Sequence, residues 1–246
     1  MGRILVYGHR GYPYRYPENT IASFLAALLY GADGIELDVW LTRDGEPVVI
    51  HDRRTGRVAG IDVDVKEKTM KELSSISLGM GQTIPSLRDV LEALPPAARL
   101  IVELKEPDAA LPALELVKEH GHLQETLFTS FIPEAVARIR EAEPNAAIGL
   151  NIGDLKQAEE ALRLLPSLRP TTIVLPVVAP IVVGWQVFTN YVEQVKRRGL
   201  RLYVWSPIGS KPAELEELYK KLRDYIDGAI MNDLEKEPLF IREETG

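Results

Sequence analysis

Strand-like and helix-like segments alternate along almost the whole chain, and this alternation limits the possible fold more than any other feature. Strand patterns fall near 3–8, 34–40, 47–51, 99–104, 126–130, 146–150, 172–176, 200–205 and 228–231. Helical periodicity fills most of the gaps, over Thr20 to Tyr30, Leu87 to Leu94, Ala109 to His120, Pro133 to Glu143, Lys156 to Leu165, Gln186 to Arg198 and Pro212 to Tyr225. Such repetition over 246 residues predicts an α/β fold with a parallel sheet, and the number of repeats favours a (β/α)8 TIM-type barrel over an open doubly wound sheet. Asn19 is placed to cap the first of these helices, and Gly199 to end the one carrying Lys196, Arg197 and Arg198.

One connection breaks the pattern. Only Leu41 to Glu46 joins the second and third strands, whereas a parallel crossover needs about a dozen residues or more. With Asp44-Gly45 as the turn, an antiparallel β2–β3 hairpin is expected. It would fold His51 back beside Glu36 and Asp38, and it accounts for nine strand patterns rather than eight. Residues 52–84 lack regular periodicity and are rich in charge and glycine, which suggests a small cap inserted at about 53–84 in a single catalytic domain spanning 1–246.

Three strand patterns carry ionisable residues where buried backbone favours apolar ones: Leu5 to Gly11, Gly34 to Val39 and Leu100 to Lys105. Alternate residues of a strand share a face, so Glu36 pairs with Asp38 and Glu103 with Lys105, while Ile35, Leu37, Val39, Val102 and Leu104 point the other way. Several buried, unpaired carboxylates would be prohibitive. The economical reading is one cation held by Glu36, Asp38 and Glu103, with His9, Arg10 and Lys105 around it. In a barrel these positions converge on the carboxyl ends of the strands.

Three carboxylates without a thiolate suit a hard divalent ion, Mg²⁺ or Ca²⁺ with Mn²⁺ as the alternative, rather than structural zinc. Arg10, Lys105 and the ion form an anion-seeking pocket. His9 and His51 beside it suggest paired acid and base catalysis, and a phosphodiester is the substrate that uses both features. Phe131 and Trp205 are placed to line the organic part of that substrate. The surplus of 36 acidic over 29 basic residues disfavours nucleic acid and anionic membranes as partners. The tract from Ile173 to Phe188 contains Pro176, Pro180 and Gly184 and is too short for the roughly 20 residues of a membrane span. No apolar signal core precedes the first strand, so a cytoplasmic location is expected. Scarce Asn and Gln with plentiful charge hint at a heat-adapted source.

The motifs His9-Arg10-Gly11, Pro17-Glu18-Asn19-Thr20, Glu36-Leu37-Asp38-Val39, His51-Asp52, Ile84-Pro85-Ser86-Leu87, Glu103-Leu104-Lys105, Ser130-Phe131 and Trp205 occur in this order. As an ordered set spanning nearly the whole chain, they resemble the glycerophosphodiester phosphodiesterase family, within the phospholipase C-like phosphodiesterases. The resemblance implies a PLC-like barrel that hydrolyses small-molecule glycerophosphodiesters to sn-glycerol 3-phosphate and an alcohol. It further implies that Glu36, Asp38 and Glu103 bind the metal, that His9 and His51 exchange protons through a cyclic phosphate intermediate, and that Arg10 and Lys105 hold phosphoryl oxygens. A lysophospholipase D, or a non-catalytic phosphodiester-binding barrel, is the alternative, and a homo-oligomer is left open. Two segments depart from the family pattern: Ser206-Pro207-Ile208-Gly209 stands where Thr-Val-Asn is common, and Met231-Asn232-Asp233 where the last strand often ends in Thr-Asp. Neither segment is expected to touch the metal or proton-transfer groups, which leaves the reaction type in place and the leaving-group preference open.

Overall fold

The computed structural model describes residues 3–241. Its elements begin β1 (Leu5–Gly8), α1 (Ile21–Leu29), β2 (Gly34–Leu41), β3 (Pro47–Val49), α2 (Met70–Leu73), β4 (Ser77–Gly79), β5 (Gln82–Thr83) and α3 (Leu87–Ala93). They continue β6 (Arg99–Leu104), α4 (Ala110–Glu119), β7 (Thr126–Ser130), α5 (Pro133–Ala142), β8 (Ala147–Asn151) and α6 (Leu155–Leu168). The last are β9 (Thr172–Pro176), α7 (Ala179–Val183), α8 (Trp185–Arg197), β10 (Arg201–Trp205), α9 (Pro212–Leu222), β11 (Gly228–Met231) and α10 (Glu237–Ile241). Strands β1, β2 and β6 to β11 run parallel, and β1 pairs with both β2 and β11, so the sheet closes into an eight-stranded barrel with helices between strands.

Strand alternation divides the apolar residues into two cores. Ile35, Leu37, Val39, Val102, Leu104, Ile173, Leu175 and Val204 face outward and are buried under the helices. Each such side chain contributes about 1.5–3 kcal/mol by leaving water. Tyr7, Ile101, Leu127, Val174, Tyr203 and Ile230 face inward and fill the barrel, with the rings of Tyr7 and Tyr203 5.7 Å apart. Two residues further along β1, β6 and β11 the same inward face presents His9, Glu103 and Asn232. The polar groups therefore sit one layer above an apolar floor.

The short β3 runs antiparallel to the end of β2, with Val39 opposite Val49 and Leu41 opposite Pro47. Thr42 donates its N–H to the Glu46 carbonyl across the turn at 3.0 Å, and Gly45 adopts a positive φ of 80° there. Residues 52–84 include the β4–β5 pair and α2, and Val65, Leu73 and Ile84 pack with Val48 and Ile50 in a small separate cluster. The stretch between β9 and α8 contains the short helix α7. No helix among the described residues is long and apolar enough to cross a membrane.

One expected cap is displaced by a residue. Thr20, not Asn19, caps α1, its hydroxyl accepting the Ser23 N–H. Asn19 instead takes a left-handed conformation with φ 55°, which asparagine tolerates better than most residues, and turns its amide into the barrel mouth.

Candidate active site

Glu36 and Asp38 lie two residues apart on β2, and Glu103 stands directly across from Asp38 on β6. One oxygen from each of the three approaches the others within 4.8 Å. Burial and the charges of Asp38 and Glu103 push Glu36 well above the ordinary carboxylate range. Glu103 is raised as well, by burial and by Asp38, against the opposing pull of Lys105. Burial also disfavours charge on Asp38, but Lys105 and Arg10 outweigh it and hold that group below its usual value. Two amides orient the cluster, Asn19 donating to Asp38 Oδ2 at 2.8 Å and Asn151 to Glu103 Oε2 at 3.0 Å. An all-oxygen, acid-rich cluster that resists full ionisation fits a hard cation, so these residues could hold a metal ion.

His9 follows β1 and is nearly buried. Its Nδ1 lies 2.9 Å from the Ser206 carbonyl and 2.9 Å from Asn232 Oδ1. Burial, with Arg10 alongside, lowers its pKa to about 4, so the ring is neutral at neutral pH. His51 follows β3 and is more open, with Nδ1 2.7 Å from Asp52 Oδ1. Asp52 Oδ2 in turn accepts from Arg57 Nε at 2.5 Å, Arg57 grips Glu18 at 2.7 and 2.8 Å, and Glu18 accepts from Arg10 at 2.8 Å. An unbroken polar chain thus runs around the rim from one histidine to the residue beside the other. Arg10 has a left-handed φ of 55°, uncommon for a non-glycine residue, and this conformation directs its backbone N–H to Glu36 Oε2 at 2.9 Å.

His9, Arg10, Glu36, Asp38, His51, Glu103, Phe131 and Trp205 all border one cavity of about 200 Å³, floored by Ile101, Val174 and Ile230. Lys105 is not on its wall. Its ammonium is paired with two of the acids, 2.5 Å from Glu103 Oε1 and 3.3 Å from Asp38 Oδ1. The Trp205 ring stands 6.2 Å from that of His9.

The profile of the glycerophosphoryl diester phosphodiesterase family matches residues 9–236. The chain belongs to this family. As a glycerophosphodiester phosphodiesterase family member it is a phosphoric diester hydrolase. Among similar proteins, the glycerophosphodiester phosphodiesterase of Caldanaerobacter subterraneus subsp. tengcongensis is 30% identical over 249 aligned positions, covering 95% of this chain and 96% of that one. The crystal structure of a glycerophosphodiester phosphodiesterase from Thermotoga maritima superposes with a TM-score of 0.80 at 30% identity, covering 97% of this chain and 98% of the other. A phosphodiesterase of Oleispira antarctica, solved in complex with the product sn-glycerol 3-phosphate, shares the fold with a TM-score of 0.80 at 24% identity and 96% coverage of both chains.

For this glycerophosphodiester phosphodiesterase family member, one expectation drawn from sequence is overturned. The two segments that depart from the family pattern do touch a predicted proton-transfer residue, because the Ser206 carbonyl and the Asn232 side chain both hold His9. They meet it because β1, β10 and β11 are neighbours in the closed barrel, a relationship invisible to linear spacing. Asn19, Asn151 and Asn232 were not singled out from the sequence as site residues. The available signal was position, since Asn151 ends a strand and Asn232 follows one at the carboxyl rim of the barrel.

Proposed function

We propose that this chain hydrolyses glycerophosphodiesters to sn-glycerol 3-phosphate and an alcohol with the help of a divalent cation. The observation that carries this reading is the convergence of three buried acids and two histidines on one cavity above an apolar floor. Glu36, Asp38 and Glu103 hold the ion, with Mg²⁺ or Ca²⁺ favoured by the oxygen donors and Mn²⁺ the alternative. When bound, the ion supplies charge neutralisation at the phosphoryl group. Arg10 contributes positive charge at the wall, and Lys105, paired with Asp38 and Glu103, lowers the cost of gathering the acids.

The two imidazoles divide the proton transfers. One takes the proton of the glycerol hydroxyl next to the phosphate, and that oxygen attacks phosphorus. The bond from phosphorus to the alcohol breaks, and the other imidazole protonates the departing oxygen. Water then opens the cyclic glycerol phosphate with the two roles exchanged, which leaves both rings in their starting states. Each transfer contributes about 10²- to 10⁴-fold to the rate. Phe131 and Trp205 line the organic part of the substrate.

A second reading, cleavage of lysophospholipids by the same groups, is supported by an apolar hollow of about 490 Å³ beside the ends of β8 and β9, lined by Leu175, Val183, Phe188 and Tyr191. Exposed Val182 also lines it, and exposed Ile181 is its neighbour in sequence. The test is to incubate the purified protein with glycerophosphocholine, glycerophosphoethanolamine or lysophosphatidylcholine, with and without divalent ions, and identify the products. Release of sn-glycerol 3-phosphate from the first two, abolished by chelator, is expected. Turnover of lysophosphatidylcholine alone would select the second reading, and no turnover of any diester would overturn both.

A further inference from the structure

The two contacts on His9 Nδ1 come from acceptors only. A main-chain carbonyl has no proton to give, so the 2.9 Å approach of Ser206 O requires a proton on Nδ1. Asn232 lies at the same distance, and its amide cannot be turned over without loss. Its Nδ2 already donates to the Ser206 carbonyl at 3.2 Å and to the Pro207 carbonyl at 2.9 Å. A reversed amide would set its oxygen against two carbonyl oxygens and its N–H₂ against the Nδ1 proton. The orientation that presents Oδ1 to His9 is therefore the one the surroundings enforce.

The clamp is itself braced. Ser206 and Asn232 are fully buried. Glu237 of α10 reaches both segments, one carboxyl oxygen 2.5 Å from Ser206 Oγ and the other accepting the Asp233 N–H at 3.0 Å. Tyr219 of α9 adds a contact to Ser206 Oγ at 2.6 Å. The His9 N–H bonds to the Met231 carbonyl at 2.9 Å, so the ring and the clamp rest on the same strand end.

We infer that Asn232 is a positioning residue that, with the Ser206 carbonyl, locks His9 in the Nδ1–H tautomer and leaves Nε2 as its only proton-accepting atom. A neutral imidazole can carry its proton on either nitrogen, and only one of the two arrangements serves a given proton transfer. The clamp removes that choice before substrate arrives. Because its partners are uncharged, it does so without placing a carboxylate against the ring, in contrast to His51 and Asp52. The catalytic consequence rests on the reading of His9 as a proton-transfer group given above. The tautomer itself does not.

The test is nitrogen NMR on protein labelled with ¹⁵N-histidine at neutral pH in chelator, paired with steady-state kinetics on glycerophosphocholine in the presence of cation. The chain has four histidines, and the His9 signals are those missing from His9→Gln. Wild type is expected to show a protonated Nδ1 and a bare Nε2. Asn232→Leu removes the Oδ1 acceptor and also the Nδ2 donor that holds the Ser206 and Pro207 carbonyls in place, so the single-tautomer pattern should be lost, with kcat down about 10- to 100-fold, the scale on which orienting contacts act, and KM within about twofold. Asn232→Asp keeps the acceptor at Oδ1, and its second oxygen, facing the Ser206 and Pro207 carbonyls, must carry a proton to satisfy them, so the His9 Nδ1 should remain protonated. A wild-type ring protonated on Nε2, an Asn232→Leu ring with unchanged tautomer and kcat, or an Asn232→Asp ring bare at Nδ1 would each overturn the inference. Full turnover in His9→Gln would instead overturn the catalytic reading and leave the tautomer assignment standing.

Discussion

Asn19 and Asp38 are bonded twice, the Asn19 amide donating to Asp38 Oδ2 at 2.8 Å while its oxygen accepts the Asp38 backbone N–H at 3.4 Å. This pair fixes the most deeply charged member of the acid cluster. Asn19→Gly tests it cleanly, because glycine accepts the left-handed φ of 55° and only the amide is removed. Divalent-ion affinity should fall about 10- to 100-fold. Stability should fall by about 1–3 kcal/mol as a buried carboxylate loses a donor. Titration calorimetry with Mg²⁺, Ca²⁺ and Mn²⁺ reads the first, and an unchanged affinity would remove Asn19 from the site.

The barrel and the acid cluster were legible because each is written as a local period. Alternation placed Glu36, Asp38 and Glu103 on inward faces, and parallel pairing then set Asp38 opposite Glu103. What spacing could not carry was contact across the closure. His9 meets Ser206 and Asn232 only because the first strand pairs with the last, at sequence separations of 197 and 223 residues. Asn19 departs from the cap pattern for a different reason. Asparagine serves equally well as a helix cap and as a left-handed residue, and the adjacent Thr20 is the competing cap. Lys105 shares the inward face of Glu103, yet its long side chain folds back onto the acids, which a strand period cannot foresee.

The cation should stabilise the fold. Glu36 is raised by burial and by the charges of Asp38 and Glu103, and Glu103 by burial and Asp38, so a bound ion relieves a strain that the protein alone carries. Adding ion to about a hundred times its Kd should stabilise wild type by about 2.7 kcal/mol. Glu36→Gln should show little of this gain, and in chelator it should be at least as stable as wild type, since a repelled charge is gone. Denaturant unfolding with and without ion measures both. A wild type indifferent to every divalent ion would rule out the cluster as a metal site.

His9 should make stability depend on pH. Its folded pKa, about 4, lies below the unfolded value near 6.5, so the unfolded chain binds the proton more readily. The contribution is present in full above the unfolded value and is lost as pH falls through the window between the two. By pH 5 the loss is on the order of 2 kcal/mol. Other groups also titrate there, so the measurement is the difference between wild type and His9→Gln, each unfolded by denaturant at pH 7.5 and pH 5. The variant should lose less stability than wild type over this interval, and equal losses would mean that His9 titrates normally.

Gly11 sets the approach of α1 to the site, and its requirement is twofold. It adopts a positive φ of 86°, and a Cβ there would lie 2.4 Å from Ser23 Oγ and 2.6 Å from the Ser23 carbonyl carbon. Ser23 cannot yield freely, because its hydroxyl accepts the Tyr12 N–H at 2.7 Å and donates to the Arg10 carbonyl at 3.0 Å. Gly45 supplies the control: its φ is 80°, but a Cβ there meets nothing within 4 Å. Gly45→Ala should therefore cost only the backbone term, about 1–2 kcal/mol. Gly11→Ala adds overpacking against the helix and should cost about 2–5 kcal/mol. It should also depress activity in the protein that remains folded, since relief requires moving the Arg10 backbone whose N–H holds Glu36. Denaturant midpoints of the two variants, with kcat measured on the folded fraction, separate backbone strain from packing. Equal destabilisation by the two substitutions would mean that α1 shifts without resistance and that its seat against Gly11 does not hold the site.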